Sequence, residues 1–143
     1  MSGTHVSDLI RVSSRALGPK RRVIVRVYES CDDMRRAAMS FNGNDHSESG
    51  AVTQAYCDTE GRITVPIIRL TPDYLTTQIV GHELHHATCA IYGSTLTDES
   101  VSDVLTHHNE PFAHLYSDLL RVTTNALYAH GYWGSSGGDR CQR

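Results

Sequence analysis

Between Thr76 and Gly93 the chain reads TTQIVGHELHHATCAIYG, which sets His82, Glu83 and His86 within one run of helix-compatible residues. Histidines four positions apart lie one turn from each other on the same helix face, so their imidazoles converge on one point. A glutamate beside the first of them can reach a water held at that point. The chemistry served by this spacing is zinc-assisted hydrolysis. The ion brings the pKa of its water towards ~7, and the carboxylate takes a proton as the water attacks a polarised carbonyl. The competing reading is a helix that is merely rich in histidine. The stripe Leu75, Ile79, His82, His86 and Cys89 weighs against it, because it predicts burial, and two unpaired buried imidazoles are costly. His85 points elsewhere, either exposed or touching a ligand from outside. Cys89 is expected to be a small buried hydrophobe.

Catalytic zinc uses three protein ligands and a water, so a further donor is required. The candidates downstream are His107, His108, Glu110 and His114. Glu110 is the best placed, since it opens the next long helix in HHNEPFAHLYSDLL, 24 positions after His86, with room for a turn, a short helix and an antiparallel return.

The elements that must position these residues follow from the hydrophobic pattern. Val6 to Leu17 is expected to be a short amphipathic helix, with Val6, Leu9, Ile10 and Leu17 on one face and Gly18-Pro19 closing it. RVIVRVYES alternates Val23, Val25 and Val27 and predicts a strand, and CDDMRRAAMSF predicts a helix of about three turns. NGNDHSESG is a loop. AVTQAYCD, the turn TEGR and ITVPIIRL predict a hairpin, with Pro66 marking its second strand as an edge or as unpaired on one side. Thr71 as N-cap and Pro72 at the first position open a helix to about Gly93, whose second stripe, Val80, Leu84, Ala87 and Ile91, makes it central. A short helix capped at Thr97 or Asp98 and a long last helix ended by Gly131 complete the order.

HELHH followed by NEPFAHLY resembles the gluzincin metallopeptidases, whose pattern is HExxH and then NExxA on a second helix. Asn109-Glu110-Pro111-Phe112-Ala113 matches every fixed position of the second motif. The match covers roughly residues 50–131 and is similar to the compact single-domain type of bacteriophages and bacteria. The resemblance implies an α+β, zincin-like fold: a small twisted sheet packed on a central HExxH helix, followed by a Glu-bearing C-terminal helix. It also implies one Zn2+ per chain, bound by His82, His86 and Glu110, with Glu83 as general base. The chain departs from larger members four residues after Glu110, where their acid is replaced by His114, an acceptor without the charge. No GAMEN-like exopeptidase motif is present. His114 and Tyr116 are candidates for supporting a ligand or stabilising the oxyanion, with Tyr92, Tyr128 and His130 behind them. His46 reads as an ordinary surface histidine.

Composition narrows the classes further. With 143 residues the chain suits one domain, expected over 1–133, with 134–143 a disordered tail. A formal charge of -3 gives no general attraction to nucleic acid or to anionic membranes, and the basic cluster GPKRRVIVR reads as the solvated start of a strand. Four scattered cysteines form no CxxC pair. Neither a signal peptide nor a membrane-spanning run is visible, so a cytoplasmic location is expected. The functional expectation is a zinc-dependent endopeptidase acting on a specific protein or peptide, taken up as an added strand along the edge of the 51–70 hairpin. The alternative is a catalytically silent zinc-binding module of zincin fold.

Overall fold

Val6–Ser14 (β1) and Arg21–Tyr28 (β2) form an antiparallel hairpin whose turn passes through Gly18 at φ +94°. The computed structural model that shows this describes residues 6–57, 60, 62–96 and 104–133. The helix expected over Val6 to Leu17 is therefore corrected to a strand. Adjacent Leu9 and Ile10 satisfy a helical and an alternating pattern equally well. Pairing with β2 selects the alternation, so that Ile10, Val12 and Ser14 face inwards and Leu9, Arg11 and Ser13 outwards.

Cys31–Asn42 (α1) is a helix because both of its ends are specified. Ser30 accepts from the Asp33 N–H at 3.1 Å, Asp32 and Asp33 favour the first turn, and Gly43 at φ +73° closes the last. Val52–Gln54 (β3) and Ile67–Leu70 (β4) pair antiparallel, and a bridge between Cys57 and Ile63 extends the expected hairpin. β4 also pairs in parallel with β2, giving the sheet order β1-β2-β4-β3. Pro66 consequently does not mark an edge. It stands just before β4, where its carbonyl accepts from the Ile24 N–H at 2.9 Å and its missing donor costs nothing. The exposed edges belong to β1 and the three-residue β3.

Thr71 and Pro72 open only a single 3-10 turn, Pro72–Tyr74. The long helix Thr77–Gly93 (α2) has its own cap, the Thr76 hydroxyl accepting from the Ile79 N–H at 3.1 Å. Glu110–Ala129 (α3) follows, with Gly131 at φ +83° just beyond it, as the sequence predicts. The short helix expected from Thr97 and the tail 134–143 lie outside the described residues.

The fold is thus α+β, with helices on both faces of a four-stranded mixed sheet. On the inner face Ile10, Val12, Val23, Val25, Val27, Ile68 and Leu70 meet Val80, Leu84, Ala87 and Ile91 of α2 and Leu115, Leu119 and Leu127 of α3. On the outer face α1 covers one end, where Met34 and Ala38 pack on Tyr28 and Val52. Beside them Arg69, only 4% exposed, donates to Gln54 Oε1 at 2.7 Å and to the Tyr28 hydroxyl at 2.5 Å. Tyr132 donates to Asp8, and Trp133 Nε1 donates to the Leu75 carbonyl at 3.3 Å, which ties the end of α3 to β1 and to the approach of α2. Among the described residues no helix is long and apolar enough to cross a membrane.

Candidate metal centre

α2 rests on the sheet through Val80, Leu84, Ala87 and Ile91, which fixes the direction of every other side chain on it. His82 and His86 project from an open face, with Nε2 atoms 3.1 Å apart and rings edge to face. Two nitrogens bound at ~2.0–2.1 Å to one tetrahedral zinc lie ~3.3 Å from each other, so this pair fits two positions of such an ion. Both histidines are exposed, as is Cys89. That overturns the expected burial of the first stripe: sheet and α3 cover two sides of α2 and leave the third in solvent.

Glu83, 5% exposed, is the buried member of the motif. Its Oε2 accepts from the Thr53 hydroxyl at 2.5 Å, and its main-chain carbonyl lies 3.0 Å from the same oxygen. Thr53 is the middle residue of edge strand β3, and it faces inwards while Val52 and Gln54 face α1. Alternation in VTQ places Thr53 on that face, but nothing local in the sequence connects it with a residue thirty positions on. It is the site residue that sequence reasoning misses.

The seam between α2 and α3 is aromatic. His85 lies 5.8 Å from the Phe112 ring and 6.2 Å from Tyr116, and Tyr92 is 5.5 Å from Phe112. Cys89 Sγ stands 3.8 Å from His85 Nδ1, and desolvation holds its thiol above the ordinary range. Tyr116 donates to the Gly81 carbonyl at 3.2 Å, and a Cβ on Gly81 would stand 3.3 Å from that hydroxyl, so a glycine suits the crossing. A hollow of about 560 Å³ opens where α2 ends and α3 begins, lined by His85, Cys89, Tyr92, Leu105 and Phe112 among others.

Asn109 is both cap and clasp for α3. Its Oδ1 accepts from the Phe112 N–H at 3.2 Å and from the Tyr92 hydroxyl at 3.3 Å, while its Nδ2 donates to the Val104 carbonyl at 2.9 Å. Asn109, Phe112 and Tyr116 therefore make the α3 side that meets α2. Glu110 lies on a different strip, 75% exposed, with Oε2 3.4 Å from His114 Nε2 one turn on. Among the described residues no three of His, Cys, Asp and Glu are gathered as a set for one ion. His82 and His86 are brought together, and Glu110 is directed to His114.

The remaining candidates are occupied elsewhere. The His107 and His108 rings lie against each other at a tilt of 43°, with centres 3.7 Å apart. Tyr128 edges onto Trp133, and His130 lies 3.4 Å from Asp8. His46 contacts Asn42 at 3.2 Å, in keeping with a surface role. Comparison of the chain with protein-family models, curated proteins and solved structures gives no match in any of the three.

Proposed function

We propose that this chain is a small zinc-dependent peptide hydrolase, and the observation that carries the reading is the approach of His82 and His86 Nε2 to 3.1 Å on the open face of α2. The two imidazoles would hold the ion. Glu110 is the third ligand by the NExxA resemblance, and it reaches the pair only by leaving His114. Zinc at this position would supply Lewis acidity and a water acidified towards ~7.

The protein's own part is positioning and proton handling. Thr53 fixes Glu83 Oε2, which leaves Oε1 to take the proton of the attacking water and pass it to the leaving amine. Because Thr53 belongs to an edge strand, a peptide added to β3 would run beside Glu83, bringing its carbonyl to the base. The hollow beside His85 suits one apolar side chain of that peptide. Tyr116 could serve the oxyanion only after releasing the Gly81 carbonyl. So small a wall around the site favours a specific protein substrate over general digestion.

A second reading, a zinc-binding module without turnover, is favoured by the exposed His82–His86 pair standing together while Glu110 is directed to His114. The deciding experiment measures metal per chain by plasma mass spectrometry for wild type, His86→Ala and Glu110→Gln, with cleavage of unfolded casein assayed alongside. About one zinc per chain, weakened in both variants, and cleavage lost in Glu83→Gln with metal retained, is the expected result. Zinc bound without cleavage leaves two choices, a protease too narrowly specific for casein or the silent module, and no zinc in the wild type overturns both readings.

A further inference from the structure

Charge on this chain is segregated rather than balanced. Residues 9–28 contain Arg11, Arg15, Lys20, Arg21, Arg22 and Arg26 and no acid, while the rest of the chain holds seven basic side chains against sixteen acidic ones. The net charge of -3 conceals this segregation. The β-hairpin puts part of the cluster on the outer face of the sheet, at the end that α1 does not cover. There the register pairs Leu9 with Arg26, Arg11 with Ile24 and Ser13 with Arg22, so basic and aliphatic side chains alternate across the two strands.

Two hollows meet around the start of β2, one on this face and one that turns past the sheet end towards Ile91 and Ser94 at the close of α2. One, of about 370 Å³, is lined by Arg11, Ser13, Lys20, Arg22, Ile24 and Val65 among others. The second, of about 220 Å³, shares Lys20, Arg22 and Val65 and adds Arg21 and Thr64. Among the described residues none of the six cations has a carboxylate within ion-pair distance, whereas Arg36 and Arg121 each do. Nε of Arg21 and of Arg26 are buried without any hydrogen-bond partner. A buried guanidinium nitrogen without an acceptor is unusual in a finished structure; Arg26 carries one on this face, and Arg21, whose register partner is the inward Ser14, carries the other at the opposite face of the same strand.

We propose that this groove is a docking site for an acidic polypeptide segment whose carboxylates are interspersed with aliphatic side chains. Carboxylates match the planar fork of the arginines, and Leu9, Ile24 and Val65 offer apolar contact between them. A nucleic acid would satisfy the charge, but single-stranded binding draws on aromatic stacking, and none of the residues facing this groove is aromatic. The proposal stands apart from the metal reading, since it uses no residue of α2's open face.

The test is fluorescence anisotropy on the full chain with three labelled probes: a peptide alternating glutamate with valine and leucine, its glutamine counterpart, and an oligothymidylate of equal charge. The glutamate peptide is expected to bind, to weaken with added salt, and to weaken about tenfold in Arg11→Gln/Arg22→Gln. Arg121→Gln, paired with Asp118 on α3, should leave binding unchanged. Lys20→Gln, in the exposed turn, supplies a weaker but measurable loss that does not depend on how the sheet tolerates the double variant. Equal binding of the glutamine peptide, tighter binding of the oligonucleotide, or undiminished binding by both the double variant and Lys20→Gln would overturn the assignment.

Discussion

Replacing Thr53 by valine isolates the contact that joins the sheet to the HExxH helix. Valine keeps the β-branched shape, so β3 and its packing are retained and only the hydroxyl is lost. That hydroxyl has one proton and two acceptors nearby, Glu83 Oε2 at 2.5 Å and the Glu83 carbonyl at 3.0 Å, and the shorter contact takes it. The loss is therefore one hydrogen bond to a buried carboxylate, worth ~1.5–3 kcal/mol. For a chain of this length that is a fall in Tm of roughly 5–10 °C. Glu83→Met provides the second corner of a cycle. Without the carboxylate, the Thr53 hydroxyl turns to the main-chain carbonyl of residue 83, so Thr53→Val in that background should cost only ~0.5–1.5 kcal/mol. A coupling of about 1 kcal/mol or more, measured by urea denaturation with unchanged m-values, is the expected outcome. Equal losses in the two backgrounds would show that Thr53 and Glu83 do not act on each other, and the proposed role of Thr53 in orienting Glu83 would fall.

Gln54→Leu removes the Nε acceptor of buried Arg69 and should cost ~2–4 kcal/mol, more than Arg69→Met, which removes the cation itself; urea denaturation ranks the two. Asn109→Ala should destabilise by ~1–2 kcal/mol through the lost cap and the stranded Tyr92 hydroxyl, read as a lower denaturation midpoint. The Tyr132 hydroxyl, desolvated and bonded to Asp8, has its pKa raised well above the ordinary tyrosine value. Its stabilisation is complete below ~10 and is lost as pH rises through the raised folded value, so the Tyr132→Phe stability profile should be flatter there than that of the wild type.

What was legible in the sequence was mainly what local chemistry decides. CDDMRRAAMSF marks α1, Val23, Val25 and Val27 mark β2, and Gly131 follows α3, each visible without knowledge of neighbours. His82 and His86 were legible for the same reason, because i and i+4 on one helix need no partner to converge. The misreadings concern contacts made at a distance. β1 is a strand because β2 lies beside it, Pro66 precedes an inner strand because β2 and β4 pair, and Thr53 matters because α2 passes beneath it. The stripe predicts burial of the histidines, but it does not say which of three sides of α2 remains uncovered. For Glu110 the motif is plain in the sequence, whereas the side of α3 it occupies depends on how Asn109, Phe112 and Tyr116 lock against α2.

The parallel pairing of β2 with β4 also imposes an order of assembly. Ile24 meets Ile67 across the whole of α1 and β3, and such closure is slow because its entropy is spent before any contact rewards it. A helix forms on a far shorter timescale than that closure. The imidazoles of His82 and His86 share one helix and can approach each other as soon as α2 exists, with or without a sheet. Glu83 gains its tether only once β3 and β4 are in place. If the chain binds zinc as proposed, the His82–His86 pair would form before the contact that orients Glu83, and the capacity for chemistry would arrive last, with the completed sheet.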